Sequence, residues 1–143
     1  MKIHLTLIAL MIPCIALANS NTEIINARQE AFVHIEQQLK EANDNLDGVD
    51  TDWLTVELNA TQLQQASESL QHSFPQGSQE GSKASDKIWQ QPNEFDQLML
   101  QMDQGFETLY RATKEHNVDL AEQGIKAAQQ TCRSCHRTYR SRW

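Results

Sequence analysis

The pentapeptide CRSCH occupies residues 132–136, close to the C-terminus of a chain of 143 residues. Cys132 and Cys135 are spaced i, i+3, and His136 follows the second thiol directly. Two thiols at this spacing can add across the two vinyl groups of a porphyrin, and the adjacent imidazole reaches the iron from the same side. This pattern is the signature of covalent haem c attachment. It predicts Cys132 and Cys135 as the attachment points and His136 as the axial iron ligand.

Three other uses of these cysteines fit the sequence less well. A thioredoxin-like redox pair requires a strand and a turn before the first cysteine, and nothing before Cys132 indicates a strand. A structural zinc site requires a second pair of Cys or His ligands, and the remaining cysteine, Cys14, lies in the apolar N-terminal segment. A disulfide between positions i and i+3 would constrain almost nothing within a helix.

The first eighteen residues have the features of an export signal. Lys2 gives a short positive region, residues 3–17 are largely apolar, and an A-x-A cleavage pattern ends at Ala18. The apolar run is too short for a membrane span. We therefore expect residues 1–18 to be a signal peptide and residues 19–143 to form one domain in the periplasm. Haem c is attached outside the bacterial cytoplasm, so export is a precondition for it.

The charge balance limits the classes of partner. The formal net charge is −7, and removal of Lys2 with the signal peptide makes it about −8. An acidic surface argues against nucleic acid and against anionic membranes as partners. No carboxylate pair, nucleophile–base arrangement or second metal cluster is visible in the sequence, so an enzyme is not indicated.

Four segments have the apolar spacing of amphipathic helices, and strand signals are weak. Ser20 and Glu23 have capping-box spacing at the start of the first segment, Gly48 follows its end, and Asn117 is placed to cap the fourth. The predicted helices cover about residues 21–46, 50–72, 92–117 and 117–139.

The connections between these segments predict the topology. Short links make the first and second helices, and the third and fourth, antiparallel neighbours. Residues 73–91 have no regular period, and a connection of this length is usually a functional loop or a disordered one. Trp89 is expected to anchor this crossover in the bundle. The sequence therefore predicts an all-α fold, an antiparallel four-helix bundle with haem c held near the C-terminal helix.

At this level the sequence resembles the cytochrome c′ family, which are exported four-helix haem proteins. The resemblance covers essentially the whole chain after the signal peptide. It is carried by CRSCH together with TYR at residues 138–140, by Arg28-Gln29, and by KIWQQPNEF at residues 87–95, which is similar to the family's Ile-Trp…Phe segment. It implies one covalently attached haem c per chain.

The resemblance also implies roles for residues outside the motif. Arg28 and Gln29 would lie at the haem propionates, where a guanidinium can fork onto a carboxylate; a solvated helix charge is the simpler interpretation of Arg28. Ser78 and Gln79 would contact the haem edge, because Gly-Ser-Gln is similar to the family's Gly-Thr-Glu. Arg140 would lie in the proximal pocket, although a surface cation near a helix C-terminus is equally compatible with the sequence.

Phe32 is the position that separates the possible functions. In the family this position packs over the distal face of the iron, and Phe32 shares a helix face with Arg28, four residues earlier. A methionine there would donate a thioether and complete a six-coordinate electron carrier. Phenylalanine has no donor atom, so the resemblance implies five-coordinate iron and a hydrophobic pocket for small uncharged gases such as NO and CO. Phe32 is at the same time a core aromatic of an amphipathic helix.

Other side chains that bind iron in proteins are expected to have structural roles. His34 is expected at the surface, and His72 and His116 at helix ends. Met99 and Met102 follow the apolar period of the third helix and are expected in the core.

Two functions therefore remain open at this point. The first is a gas-binding haem protein that senses, buffers or detoxifies NO. The alternative is a one-electron carrier between periplasmic redox partners. Members of the family often form homodimers through the first two helices, which leads us to expect a homodimer. Trp53, Leu54 and Leu58 are either part of such a patch or part of the core.

Overall fold

A computed structural model describes residues 15–141, with side chains described from residue 21 onward. The greater part of the predicted signal peptide, including Cys14, lies outside the described residues. The helices are α1 (Ile15–Asp44), α2 (Trp53–Leu70), the short α3 (Lys87–Gln90), α4 (Pro92–Glu115) and α5 (Val118–Tyr139), with a 3-10 turn at Gly48–Asp50.

The four long helices form the predicted antiparallel bundle. Helix α1 packs against α2, α2 against α4, and α4 most extensively against α5. Within the described residues one isolated bridge, between Ala84 and Arg140, is the only extended pairing. The all-α prediction is confirmed. Each helix contributes apolar side chains to one core, which includes Ile35, Leu39, Val56, Leu63, Phe106, Leu109, Ile125 and Ala128.

The ends of α1 differ from the prediction. The helix begins at Ile15, before the expected cleavage point, so Ser20 lies inside it and does not cap its first turn. It ends at Asp44: the Asn45 N–H still donates to the Glu41 carbonyl in the helical pattern, but the Leu46 N–H donates to the Asn43 carbonyl instead, at 3.3 Å. Gly48 takes a positive φ of 51° in the 3-10 turn that follows. The helix therefore stops before the glycine.

The caps of α2 and α5 are formed by acidic and amide side chains. Asp52, rather than the expected residue 50 or 51, caps α2 by accepting a hydrogen bond from the Thr55 N–H at 3.2 Å. Asn117 caps α5 as predicted, since its Oδ1 accepts from the Leu120 N–H at 3.0 Å.

Two glycines let α4 and α5 approach closely. A Cβ added at Gly124 would lie 2.7 Å from both the Gly105 carbonyl oxygen and the Leu109 backbone nitrogen. A Cβ at Gly105 would lie 3.0 Å from the Ala128 nitrogen and the Gly124 oxygen. The backbones therefore meet where any side chain would separate them, and this contact fixes α5, the helix that carries the CRSCH motif.

The crossover between α2 and α4 is an ordered segment that is tied to the bundle. The indole N–H of Trp89 donates to the carbonyls of Phe74 and Pro75 at 3.1 and 3.2 Å, which confirms its anchoring role. At the end of α5, the Ser85 N–H donates to the Tyr139 carbonyl at 2.8 Å. Within the described part of the chain, no helix is long and apolar enough to cross a membrane.

Candidate haem-binding site

The two thiols of the motif lie on α5, half-buried against the core and without a disulfide partner. Burial raises the pKa of the Cys132 thiol. Burial, with a smaller contribution from Cys132, raises the pKa of Cys135 to about 11. Desolvation disfavours the charged form of a thiol, so both sulfurs are neutral at physiological pH. A raised thiol pKa is the opposite of what a thiolate redox pair requires.

The imidazole of His136 follows directly and is exposed on the same helix. Among the residues that the structure describes, no group of three or more His, Cys, Asp or Glu side chains is arranged to hold a metal ion. The donor set at the motif is therefore two thiols and one imidazole. This set fits a haem, whose iron is already bound by the porphyrin. It does not fit a zinc ion without a porphyrin, which requires four ligands.

Helix α1 lies beside the motif. The carboxylate of Glu36 contributes to the raised pKa of Cys132, as the smallest of its causes, which places this face of α1 within electrostatic reach of the thiol. Phe32 lies one turn earlier on α1 and is half-buried against the same core as Cys132. Phe32 and Glu36 are spaced i, i+4 and therefore share one face of α1.

A row of aromatic rings connects Phe32 to the end of α5. The ring centroids of Phe32 and Phe74 are 6.4 Å apart, and those of Phe74 and Phe95 are 4.8 Å apart in an edge-on arrangement. Phe95 in turn meets Tyr139 at 5.3 Å, also edge-on. Burial raises the pKa of the Tyr139 phenol. The four rings therefore form a continuous apolar row from α1 to the end of α5.

Arg28 is buried, with 3% of its surface exposed, and its guanidinium binds the crossover. Nη1 donates to the Ser78 hydroxyl at 2.8 Å and to the Ser73 carbonyl at 3.1 Å. Nη2 donates to the Ser78 carbonyl at 2.6 Å and to the Ser82 hydroxyl at 2.8 Å. Its carbon also lies 4.7 Å from the Phe74 ring centre. A propionate contact would have to use the remaining Nε–H or replace one of these bonds.

The remaining predicted haem contacts lie around this arginine. Ser78 is fully buried, whereas Gln29 is exposed on α1. Gln79 is half-buried, and its amide oxygen is buried without a hydrogen-bond partner. A buried acceptor without a donor is uncommon in native proteins. The Oδ1 atom of Asn59 is buried without a partner in the same way.

Arg140 does not continue the helix of the motif. Helix α5 ends at Tyr139, and Arg140 takes an extended backbone conformation (φ −99°, ψ 126°) that pairs with Ala84. Its side chain is exposed. Helical spacing from His136 therefore does not fix where its guanidinium lies.

The alternative iron ligands have the structural roles that were expected, with one difference. Met99 and Met102 are buried in the core, and His72 is exposed. His116 is the left-handed C-cap of α4 and stacks on the Trp53 ring at 5.2 Å. His34 is half-buried rather than fully at the surface.

The sequence profile of the family described as Cytochrome C' matches residues 23–140, which is most of the chain. The chain belongs to the cytochrome c′ family. Members of this family bind haem c covalently through cysteines, and Cys132 and Cys135 are the cysteines within the matched range. The haem c prediction is thereby confirmed. No curated protein sequence matches the chain.

Solved structures of cytochromes c′ have the same fold. Cytochrome c prime from Shewanella frigidimarina is 25% identical, with a TM-score of 0.77 over 85% of this chain and 96% of that one. A ferrous arginine-to-lysine variant of cytochrome c prime from Alcaligenes xylosoxidans, solved with bound NO, is 19% identical, with a TM-score of 0.78 over 86% and 97% of the two chains. A cytochrome c′ with ligand-controlled dimer dissociation is 17% identical, with a TM-score of 0.77 over 85% and 97%.

Several residues of the site were not predicted from the sequence. Ser73 and Ser82 bind the Arg28 guanidinium, and Phe74 links Phe32 to Phe95. They lie in or next to the crossover, where the sequence has no periodicity. The only sequence signal was the length of the segment, which is typical of functional loops.

Proposed function

We propose that this cytochrome c′ is a periplasmic gas-binding protein whose haem c is attached at Cys132 and Cys135, with His136 as the axial iron ligand. The haem supplies an iron that binds diatomic gases in the ferrous state. The protein holds the porphyrin on α5, limits access to it and excludes charged ligands. The family is typically exported, and the sequence of residues 1–18 supports the periplasm as the destination.

The observation that carries this proposal is the placement of Phe32. Its ring belongs to an apolar aromatic row and shares a face of α1 with Glu36, whose charge acts on Cys132, and it offers no donor atom. Iron held by His136 alone on the protein side keeps one position open. An apolar ring without a donor atom favours NO and CO over anions at this position, because burial of an unpaired charge is costly.

Arg28, Gln29, Ser78 and Gln79 are assigned to the edge of the haem. In this assignment Arg28 acts by holding the crossover in place through Ser78, and Gln79 is assigned on the resemblance alone. Arg140 is assigned to the proximal side on the resemblance alone.

A homodimer is the second part of the proposal. Helix α2 exposes Leu54 by 81% and Leu58 by 57%, whereas Trp53 is half-buried and stacked on His116. Adjacent exposed leucines one turn apart are typical of an interface. Leu54 and Leu58 are therefore proposed as the dimer patch, and Trp53 as part of the subunit.

One-electron transfer between periplasmic redox partners is the alternative function. The half-exposed motif on α5 supports it, because exchange of electrons requires a haem close to the surface. The non-ligating Phe32 favours gas binding as the primary role. Both functions can belong to the same haem.

Ligand charge provides the test. The holoprotein, made in a host that attaches haem c, is titrated anaerobically with NO in the ferrous state and with azide in the ferric state. We expect stoichiometric spectral changes with NO and little change with azide. A spectrum that does not respond to NO would contradict the gas-binding function.

A further inference from the structure

The charges of this chain are distributed very unevenly. All nineteen acidic residues precede residue 123, together with seven of the twelve Lys and Arg residues, so residues 1–122 carry a formal charge of −12. Residues 123–143 carry the other five basic residues and no acid. An acidic protein thus places its one uniformly basic segment on the helix that holds the haem motif.

Three of these cations lie on one side of α5. Lys126, Arg133 and Arg137 are spaced i, i+7 and i+11, which brings them to the same side of a helix. Arg140 follows at the end of the helix, beside Lys83, whose carbonyl accepts a hydrogen bond from the Ser141 N–H at 2.8 Å. We call Lys126, Arg133 and Arg137 the basic stripe.

The basic stripe is available to a partner. All three side chains are exposed, and none forms an ion pair with another described residue. On the side toward α4 the stripe borders a groove without charged residues, whose lining includes Gln101, Gln104, Gln130 and Ser134. No carboxylate in the groove neutralises the stripe from that side.

We propose that the basic stripe is the docking surface for an acidic protein that delivers one electron to the haem. This inference rests on the proposed attachment of haem at Cys132 and Cys135. Arg133 and Arg137 lie on the same two turns of α5 as Cys132, Cys135 and His136, but on a different side of the helix. A protein that docks on the stripe would therefore be separated from the haem by the width of α5, about 10 Å. One electron leaves the partner's reduced centre and converts ferric haem iron to ferrous; no proton or group is transferred.

Charge and hydrophobicity favour a protein over a lipid surface as the partner. Binding to an anionic membrane combines cations with flanking apolar side chains. The large exposed apolar residues of the described chain are Val33, Val49, Leu54, Leu58 and Leu100, and none of them lies on α5. A stripe of cations without apolar neighbours is instead typical of electrostatic steering between soluble partners.

The test measures electron delivery by an acidic protein probe. Flavodoxin in its hydroquinone form is mixed with the ferric holoprotein in a stopped-flow instrument; the flavin loses one electron to become the semiquinone as the iron is reduced. We expect the second-order rate constant to fall as ionic strength rises, although both proteins are acidic overall. The double variant Arg133→Gln/Arg137→Gln should lower the rate roughly tenfold at low salt and flatten the salt dependence.

The matched control removes two cations elsewhere. Arg111→Gln/Lys114→Gln changes the net charge equally, at the far end of α4, and should leave the rate within about twofold. Lys126→Gln/Arg137→Gln provides a second stripe variant that leaves the haem pentapeptide intact. A rate that rises with ionic strength, or equal effects of the stripe and control variants, would overturn the proposal.

Two further measurements distinguish a protein partner from a membrane, and docking from gas binding. The first is cosedimentation with vesicles of phosphatidylcholine that contain phosphatidylglycerol. If the stripe variant no longer binds these vesicles while its rate of reduction by flavodoxin is unchanged, the stripe binds a membrane, and the proposal of a protein partner is overturned. CO binding is measured on the same samples. If the protein binds CO normally but its reduction by flavodoxin does not depend on salt, only the docking surface is rejected. If the protein does not bind CO but its reduction by flavodoxin has the expected salt dependence, only the gas-binding function is rejected.

Discussion

The hydroxyl of Ser78 accepts a hydrogen bond from Arg28 Nη1 at 2.8 Å, although fifty residues separate them in the sequence. Both side chains are buried. With the Ser73 and Ser82 contacts, this bond fastens the crossover to α1 beside the aromatic row. The loop that borders the proposed haem edge is therefore held by the first helix.

Removal of this arginine should loosen the crossover. Arg28→Ala leaves buried serine oxygens without donors, so we expect the free energy of unfolding of the holoprotein to fall by about 2–4 kcal/mol. Arg28→Lys keeps the positive charge but not the two-pronged guanidinium geometry, so its free energy of unfolding should fall by less than that of Arg28→Ala. Urea denaturation followed by circular dichroism measures both. Arg111→Ala, at an exposed position, is the control and should change stability by less than about 0.5 kcal/mol; an Arg28→Ala protein as stable as this control would contradict the anchoring role.

The close approach of α4 and α5 makes a strong prediction for Gly124. Replacement of glycine by alanine in an open helix stabilises it by about 1 kcal/mol. At Gly124 the new Cβ meets backbone atoms of Gly105 and Leu109 at 2.7 Å, so we expect a loss of about 1–3 kcal/mol in the free energy of unfolding. Gln123→Ala, at an exposed neighbouring position, serves as the control. A stabilised Gly124→Ala protein would show that the helices are further apart than described.

Truncation of Phe32 should open the iron to ligands. Displacement of a packed ring costs an incoming ligand about 1–3 kcal/mol, so Phe32→Ala should raise CO affinity by roughly tenfold to a hundredfold. Phe32→Met should instead supply a thioether and give a six-coordinate, low-spin iron. Leucine has no atom that can bind iron, so Phe32→Leu serves as the control for both the alanine and the methionine variant. CO titration and visible spectra measure the three variants; an affinity unchanged in Phe32→Ala would show that this ring does not cover the iron.

The proposed dimer patch can be tested by adding charge. Leu54→Glu combined with Leu58→Glu places two carboxylates where two copies would bury them, and burial of unpaired charge is costly. We expect sedimentation velocity to show a monomer for this variant and a dimer for the wild type. Leu100→Glu, on α4, replaces another exposed leucine and should leave the oligomeric state unchanged. A wild-type protein that is monomeric at all accessible concentrations would contradict the patch.

The sequence predicts the bundle and the attachment motif because both depend on local spacing. Apolar residues three and four positions apart define the helices, and the Asn117 cap involves atoms only three residues apart. The C-terminal end of α1 was less predictable, because the Leu46 N–H donates to the Asn43 carbonyl and the helical pattern ends before the expected glycine.

The surroundings of the motif depend on contacts between distant segments. The Ser73, Ser78 and Ser82 oxygens meet Arg28 across 45 to 54 residues, and a serine-rich loop has no period that would set such a register. The same holds for Phe74, which joins α1 to α4 from within the crossover. Tertiary packing determines where these residues lie, and local secondary-structure propensity does not predict it.

The visible absorption spectrum of the reduced holoprotein, recorded before and after addition of CO, tests the gas-binding function most directly. We predict a broad, high-spin spectrum that sharpens when CO occupies the open position of the iron. A sharp, low-spin spectrum that does not respond to CO would mean that a protein side chain fills that position. It would contradict the role given to Phe32 and favour electron transfer as the function.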